Sequence, residues 1–420
     1  MKILLAHKYF FRGGGTATYL FALIEELEKR GHQCVPFTVA YDQTEVNSYS
    51  RYFVSPPLGA DQSHLKGMKL SPWAMLKLLG RATYSFETYS KALRLINDAQ
   101  PDIAYIHNIY NYMSPSVIPA CRKRRIPIVM RVPDYNLMCA ELHFLRDGQV
   151  CTECLEHGYK RALRYSCLKG SRAATAARVA SMYVHKWLRI YDNVDLFITP
   201  SAFMREMMIK AGYDGERIIH LPSFYAGQTS SDAEPAEGDY ILYFGRLAPE
   251  KGIDTLIRAM GRIDGGIRLV IAGADVDGTR ARLERLVVEL KLDNVQFVGR
   301  LGRTALDELI EGCLFTVVPS RWYDNCPMAI LESFAHRKAV IGSNIGGIPE
   351  QLTDGCGLLF EPDNVDDLAE QIQLLLDRPD LRSQMGVAAG ERAATQYSPQ
   401  AHCDRLLALF TDLVANYARH

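Results

Sequence analysis

The chain opens on a short apolar run, Ile3 to Ala6, which reads as a core strand over residues 2–7. Three consecutive glycines follow, Gly13, Gly14 and Gly15, and then Leu20, Leu23, Ile24 and Leu27 at helical spacing across residues 17–30. Gly31 closes that helix, and residues 33–39 read as the second strand. Further strands are expected at 102–107, 127–131 and 196–200, each joined to the next by a helix-like segment. Residues 226–238 carry no large apolar side chain and are acidic, the mark of a linker or exposed loop. The alternation then restarts, with strands expected at 240–246, 268–272, 295–298, 314–319, 339–342 and 357–360. A last helix, about 399–418, puts Leu406, Leu407, Phe410, Leu413 and Val414 on one stripe, so it needs a partner surface.

Repeated βαβ alternation builds open parallel sheets with helices on both faces. The fold class is therefore α/β: two Rossmann-like, doubly wound domains facing across a cleft, with binding loops at the carboxyl ends of the strands. The expected division is 1–225, carrying a Cys-rich insertion at about 136–170, then 239–398, then a terminal helix, 399–420, packing back toward the first domain.

Composition adds little: 420 residues with 48% hydrophobic and 23% charged content suit a globular protein of two or three domains. No window reaches the roughly 18 apolar residues of a spanning helix, and the first strand is too short for a signal peptide. The expected location is cytoplasmic. Charge changes the picture more. The first 225 residues hold 29 Lys and Arg against 19 Asp and Glu, and the remainder holds 19 against 29, so the first half is suited to something anionic. Residues 122–125 are four consecutive cations, and residues 65–84 mix Lys66, Lys69, Lys77 and Arg81 with Leu70, Trp73, Leu76 and Leu79. Such a segment either lies on an anionic membrane at its inner face or is a core helix with snorkelling lysines. No nucleic acid partner is expected.

The densest chemistry follows the strand ending near Pro319. A polar loop carries Asp324, Asn325 and Cys326, and Pro327 is suited to the first position of a helix through Met328 and beyond. Unpaired N–H groups and the dipole at a helix start make an anion site fit for a diphosphate. Glu332 lies about 7.5 Å further along, at 1.5 Å per residue, where its carboxylate can accept from ribose hydroxyls. Upstream, Arg246, Lys251 and Gly252 follow another strand end, and two cations there can neutralise a departing nucleoside diphosphate.

Gly245-Arg246, Lys251-Gly252, Pro319-Ser320, Asp324, Glu332 and Gly346-Gly347-Ile348-Pro349-Glu350, in this order, resemble glycosyltransferase family 4, retaining enzymes of the GT-B fold. The resemblance covers nearly the whole chain and implies that Arg246 and Lys251 hold the donor diphosphate, Glu332 the ribose, and the loop from Asn325 through Cys326 and Pro327 to Met328, with Gly347, the rest of the donor. Asp324 stands where the family has the first Glu of Glu-x7-Glu and would contact sugar hydroxyls from a chain one methylene shorter. In the first half, glycines such as Gly14 and Gly15 allow close backbone approach to a ligand, and the family's loop approaches the donor phosphates and acceptor. His107 ends a strand, and in the family a His here sits near the transferred sugar. At Asp134, Pro133 replaces the His of the family's His-Asp.

The resemblance implies transfer of a sugar from a nucleoside-diphosphate sugar to a hydroxyl on a saccharide or lipid-linked saccharide, with retention, as in cell-surface polysaccharide synthesis. No protein nucleophile stands out, and no cofactor is required for catalysis. Two rivals share the architecture: a sugar phosphorylase using inorganic phosphate, and a catalytically silent sugar- or lipid-binding subunit. Of the ten cysteines, Cys139, Cys151, Cys154 and Cys167 cluster around a Cys-x2-Cys core. They read either as a closed structural zinc site or as four buried thiols.

Overall fold

The computed structural model describes residues 1–11, 15–57, 72–227, 238–263 and 265–418. The first domain contains strands β1 (Lys2–His7), β2 (Gln33–Phe37), β3 (Ile103–His107), β4 (Ile128–Arg131), the hairpin β5 (Leu145–Arg146) and β6 (Gln149–Val150), β7 (Leu196–Thr199) and β8 (Ile218–His220). Apart from the hairpin these form one parallel sheet in the order β2-β1-β3-β4-β7-β8. The second domain contains β9 (Tyr240–Phe244), β10 (Arg268–Ala272), β11 (Val295–Gly299), β12 (Thr316–Val318), β13 (Val340–Ser343) and β14 (Gly357–Phe360). Its sheet is also parallel, in the order β11-β10-β9-β12-β13-β14.

Both orders reverse direction once, between β1 and β3 in the first sheet and between β9 and β12 in the second. Ligands of open α/β sheets bind outside the carboxyl ends of the strands at these reversals. In the first sheet that end is marked by His7 and His107, which sit opposite each other in register.

The apolar runs are continuous because both faces of each sheet are covered. Along β1 the side chains alternate between two cores. Leu4 and Ala6 pack with Val35, Phe37, Val117 and Ile118, while Ile3 and Leu5 pack with Leu20, Leu23 and Leu27. The second of these cores is completed by Cys403, Leu406 and Phe410 of the helix Pro399–Ala418. The partner surface for that apolar stripe is thus the helix Gly15–Lys29 and the first sheet. Tyr19 and His402 tie the contact with a hydrogen bond, hydroxyl to Nε2, of 2.8 Å.

Three strands escape sequence reading, β8 and the two of the hairpin. The three residues of β8 are too few to show a period, and the hairpin turns on Asp147-Gly148, both at positive φ (52° and 78°), the dipeptide favoured by two-residue turns.

Candidate functional site

At the second domain's reversal, the chain leaves β9 through Gly245 and Arg246, makes a short 3₁₀ turn at Pro249–Lys251, and enters the helix Ile253–Met260. Gly252 (φ 65°) lies against the loop that follows β12, and a Cβ there would fall 1.9 Å from the Pro319 carbonyl oxygen. Only glycine allows the two loops to touch, and their contact brings Lys251 to Asp324. The Lys251 ammonium donates to Asp324 Oδ2, and Ser320 Oγ donates to the same oxygen at 3.0 Å. Lys251 Nζ also lies 5.4 Å from the centroid of the Trp322 ring. Arg246 is half exposed and meets Glu250 at 3.2 Å. Glu332, on the helix Met328–Ala335, pairs with Arg303 Nη1 at 2.9 Å. Burial outweighs that pairing and raises the Glu332 carboxyl above its ordinary range. Arg303 is anchored in turn by Asp307 and by the Tyr225 hydroxyl.

The first domain offers a buried imidazole pair. His7 and His107 have ring centroids 5.1 Å apart. Neither nitrogen of His107 has a hydrogen-bond partner among the described residues, nor has Nε2 of His7. Desolvation lowers His7 to about 4 and puts His107 well below its ordinary value, so both rings are neutral near pH 7. Beside them a cavity of about 250 Å³ is lined by Lys8, Asn108, Tyr112, Asp134, Asn136 and His143. Burial lowers the Lys8 ammonium and Asp134 opposes that shift. Lys8 Nζ lies 5.0 Å from the Tyr9 ring centroid and 5.3 Å from that of Tyr112.

The two sides meet through the loop after β12. Tyr135 donates from its hydroxyl to the Tyr323 carbonyl at 2.8 Å, and His143 stacks at a tilt on Trp322 with centroids 5.3 Å apart. Asn325 Nδ2 donates to the Pro133 carbonyl at 3.2 Å, and its Oδ1 accepts from Ser201 Oγ. Glu350 reaches across to the start of the helix Ala202–Lys210, where its two carboxylate oxygens accept from the Ala202 N–H at 3.0 and 2.8 Å.

A family model of the glycosyl transferase 4-like domain matches residues 14–223, and one of glycosyl transferases group 1 matches residues 228–392. The chain belongs to this glycosyltransferase family. Among curated relatives, the α-D-kanosaminyltransferase of Streptomyces kanamyceticus is 29% identical over 227 residues, which is 50% of this chain and 58% of the relative. The matches span about half the length of the first such relatives. The sucrose-phosphate synthase of Thermosynechococcus elongatus superposes with a TM-score of 0.68 at 19% identity, covering 99% of both chains. Anabaena HepE, solved in complex with UDP-glucose, superposes with a TM-score of 0.63 at 14% identity, covering 98% of this chain and 100% of that one. At such identity these two structures speak to the fold, which is GT-B.

Within this glycosyltransferase the structure brings Lys251 and Asp324 into direct contact, with Arg246 at the mouth of the same turn. Pro327 is the cap of the helix Met328–Ala335 and not its first residue, because its ψ of 120° is extended. Asn325 spends its side chain on the interdomain bridge. Cys326 is half buried, and burial pushes its thiol up to about 11. Gly347 is held by close approach: a Cβ there would fall 1.9 Å from the Asn325 carbonyl oxygen. Gly15 begins the first helix, whereas Gly14 lies outside the described residues. Residues 65–71 of the basic amphipathic segment lie outside them too.

Cys139 is buried, Cys151, Cys154 and Cys167 are half buried, and all ten cysteines are free. Among the described residues no three His, Cys, Asp or Glu side chains are grouped to hold a metal ion. Burial raises Cys139 to about 12 and Cys154 to about 11.

Sequence reading missed His7, Lys8, His143, Arg303 and Ser201. His7 carried a usable signal, a histidine at the carboxyl end of a predicted strand, the same signal that singled out His107. The others become neighbours of the site only through tertiary packing.

Proposed function

We propose that this glycosyltransferase moves a sugar from a nucleoside-diphosphate sugar to a hydroxyl of a saccharide or lipid-linked saccharide, with retention at the anomeric carbon. The observation that carries the reading is the contact of Lys251 with Asp324 at the reversal of the second sheet, beside the start of the helix that holds Glu332. That contact sets a cation, a hydroxyl-binding carboxylate and free backbone N–H groups at one end of a parallel sheet, the set a diphosphate-linked sugar requires. The UDP-glucose bound by HepE supports a donor of this class.

Lys251 and Arg246 bind the diphosphate and take up the charge that grows on it as the bond to the sugar breaks. Asp324 holds sugar hydroxyls with the oxygen left over from Lys251 and Ser320. Its engagement by those two donors argues against a role as nucleophile. The acceptor oxygen then forms its bond to the anomeric carbon on the face the diphosphate leaves, and its proton passes to the departing phosphate oxygen. His107, neutral, buried and with neither nitrogen paired among the described residues, supplies a hydrogen bond near the sugar without adding charge. The cavity at Lys8 and Asp134 receives the acceptor.

The experiment is to incubate the purified chain with nucleotide sugars and follow the released or transferred sugar by proton NMR at early times. The reading expects product with the donor's anomeric configuration and no trapped covalent glycosyl-enzyme. An inverted product, or turnover that needs inorganic phosphate and no nucleotide, overturns it.

A further inference from the structure

From His157 to Tyr191 the chain has eight Lys and Arg and no Asp or Glu. Thirty-five residues without a carboxylate, in a chain of zero net charge, concentrate positive potential on one element of the first domain. That element is a pair of packed helices, Lys160–Tyr165 and Arg172–Trp187. Lys160, Arg164, Arg172 and Lys186 are exposed on it, and among the described residues none of them pairs with a carboxylate.

The same surface exposes large apolar side chains. Trp187 is 81% exposed, Leu188 46%, and Tyr183 and Leu163 41% each. Tyr183 and Trp187 are four residues apart and share a helix face. Large apolar tips among cations are the composition of a surface that seats at a bilayer interface: the rings and leucines enter the headgroup boundary while the ammonium and guanidinium groups meet lipid phosphates. A nucleic acid partner would use the cations but leave Leu163 and Leu188 without a role.

Position strengthens the argument. Beside the longer helix lies a cavity of about 340 Å³, lined by Arg178, His185 and Lys186 of that helix and by Asn136 among others. Asn136 also lines the cavity that holds Lys8 and Asp134. Asn136 thus lines both spaces. The helix Pro72–Thr83, the described part of the basic amphipathic segment, packs along the same helix, with His185 Nε2 2.8 Å from the Thr83 carbonyl oxygen.

We propose that the face formed by Lys160, Leu163, Arg164, Tyr183, Lys186 and Trp187 docks the first domain on an anionic phospholipid bilayer. Docked so, the cleft takes its acceptor from the membrane through the space beside Asn136. The lipid contact itself does not depend on the transferase reading; the acceptor route does.

The test is flotation of the full chain with vesicles of phosphatidylcholine alone and of phosphatidylcholine with phosphatidylglycerol. Two variants are compared with the parent, Lys160→Glu/Arg164→Glu/Lys186→Glu and Trp187→Ser/Leu188→Ser, all substitutions at exposed positions. The parent is expected to float with anionic vesicles only and to be released by high salt. Each variant should lose about tenfold or more in vesicle affinity while its melting temperature and its response to nucleotides stay as in the parent. Absence of flotation by the parent, flotation undiminished in both variants, or capture by a DNA duplex in place of vesicles overturns the proposal. A chain that floats but ignores every nucleotide keeps the docking face and loses the transferase reading, so the two failures are distinct.

Discussion

Lys251 and Asp324 come from loops 73 positions apart in sequence, and a single glycine, Gly252, lets them meet. On the proposed function Lys251 has a chemical role and a modest structural one, since Asp324 keeps the Ser320 hydroxyl as a partner. Lys251→Ala is expected to lower kcat by about 10²–10³, the usual loss when one preorganised charge-stabilising group is removed, with only a few degrees' fall in melting temperature. Steady-state kinetics and a thermal melt on the same protein check this, and an equal collapse of both would mark Lys251 as structural. On the proposed function Arg303 is a positioning residue, because it pairs with Glu332. Arg303→Met should raise KM for the donor about tenfold, the scale of one charge-assisted hydrogen bond, while kcat changes little. These two residues also mark the limit of what sequence can yield. Lys251 was legible because it belongs to a continuous stretch with a fixed spacing to a strand end. Arg303 was not, because it reaches Glu332 from a neighbouring helix, and only the packing of Arg303–Glu311 against Met328–Ala335 reveals it.

At the scale of elements, strands were the most legible feature. Buried parallel strands are continuous apolar runs, and all eleven expected from such runs or their ends differ by at most two residues at either end from what is observed; the largest contraction is that of residues 314–319 to Thr316–Val318. Most contacts between elements were not legible. The Gly346–Glu350 motif entered through the family resemblance, with Gly347 alone assigned to the donor, and Glu350 caps the first turn of Ala202–Lys210 in the other domain. Burial raises its carboxyl to about 7. The folded chain thus holds a proton that the unfolded chain has released, in the window from about 4.5 to about 7. Stability from that proton is full below the window and is lost as pH rises through the folded value. Glu350→Gln removes the term, so the melting temperature of the parent minus that of the variant should fall between pH 5 and about 7.5. Melts of both proteins across that range decide it, and a constant difference would show that Glu350 is charged throughout.

For the molecule as a whole, two parallel sheets, each reversed once, turn their strand ends toward one cleft and are held together by Tyr135, Ser201, Glu350 and the helix Pro399–Ala418. The basic side carries a cavity with Lys8 and Asp134, and the acidic side carries the Lys251–Asp324 contact and Glu332. Charge asymmetry was visible in sequence, but its strongest concentration, residues 157–191, was not singled out there. It stands out once Trp187 and Leu188 are seen to be exposed. The central claim is that the second domain binds a nucleoside diphosphate across Lys251 and Glu332. The most direct measurement is the melting temperature of the purified chain titrated with UDP, GDP, ADP and their sugar conjugates, because a ligand that binds only the folded state stabilises it by mass action. A concentration-dependent rise with one nucleotide, reduced in Lys251→Ala and in Glu332→Gln, is the predicted result. A folded protein whose melting temperature none of these ligands moves would contradict the account.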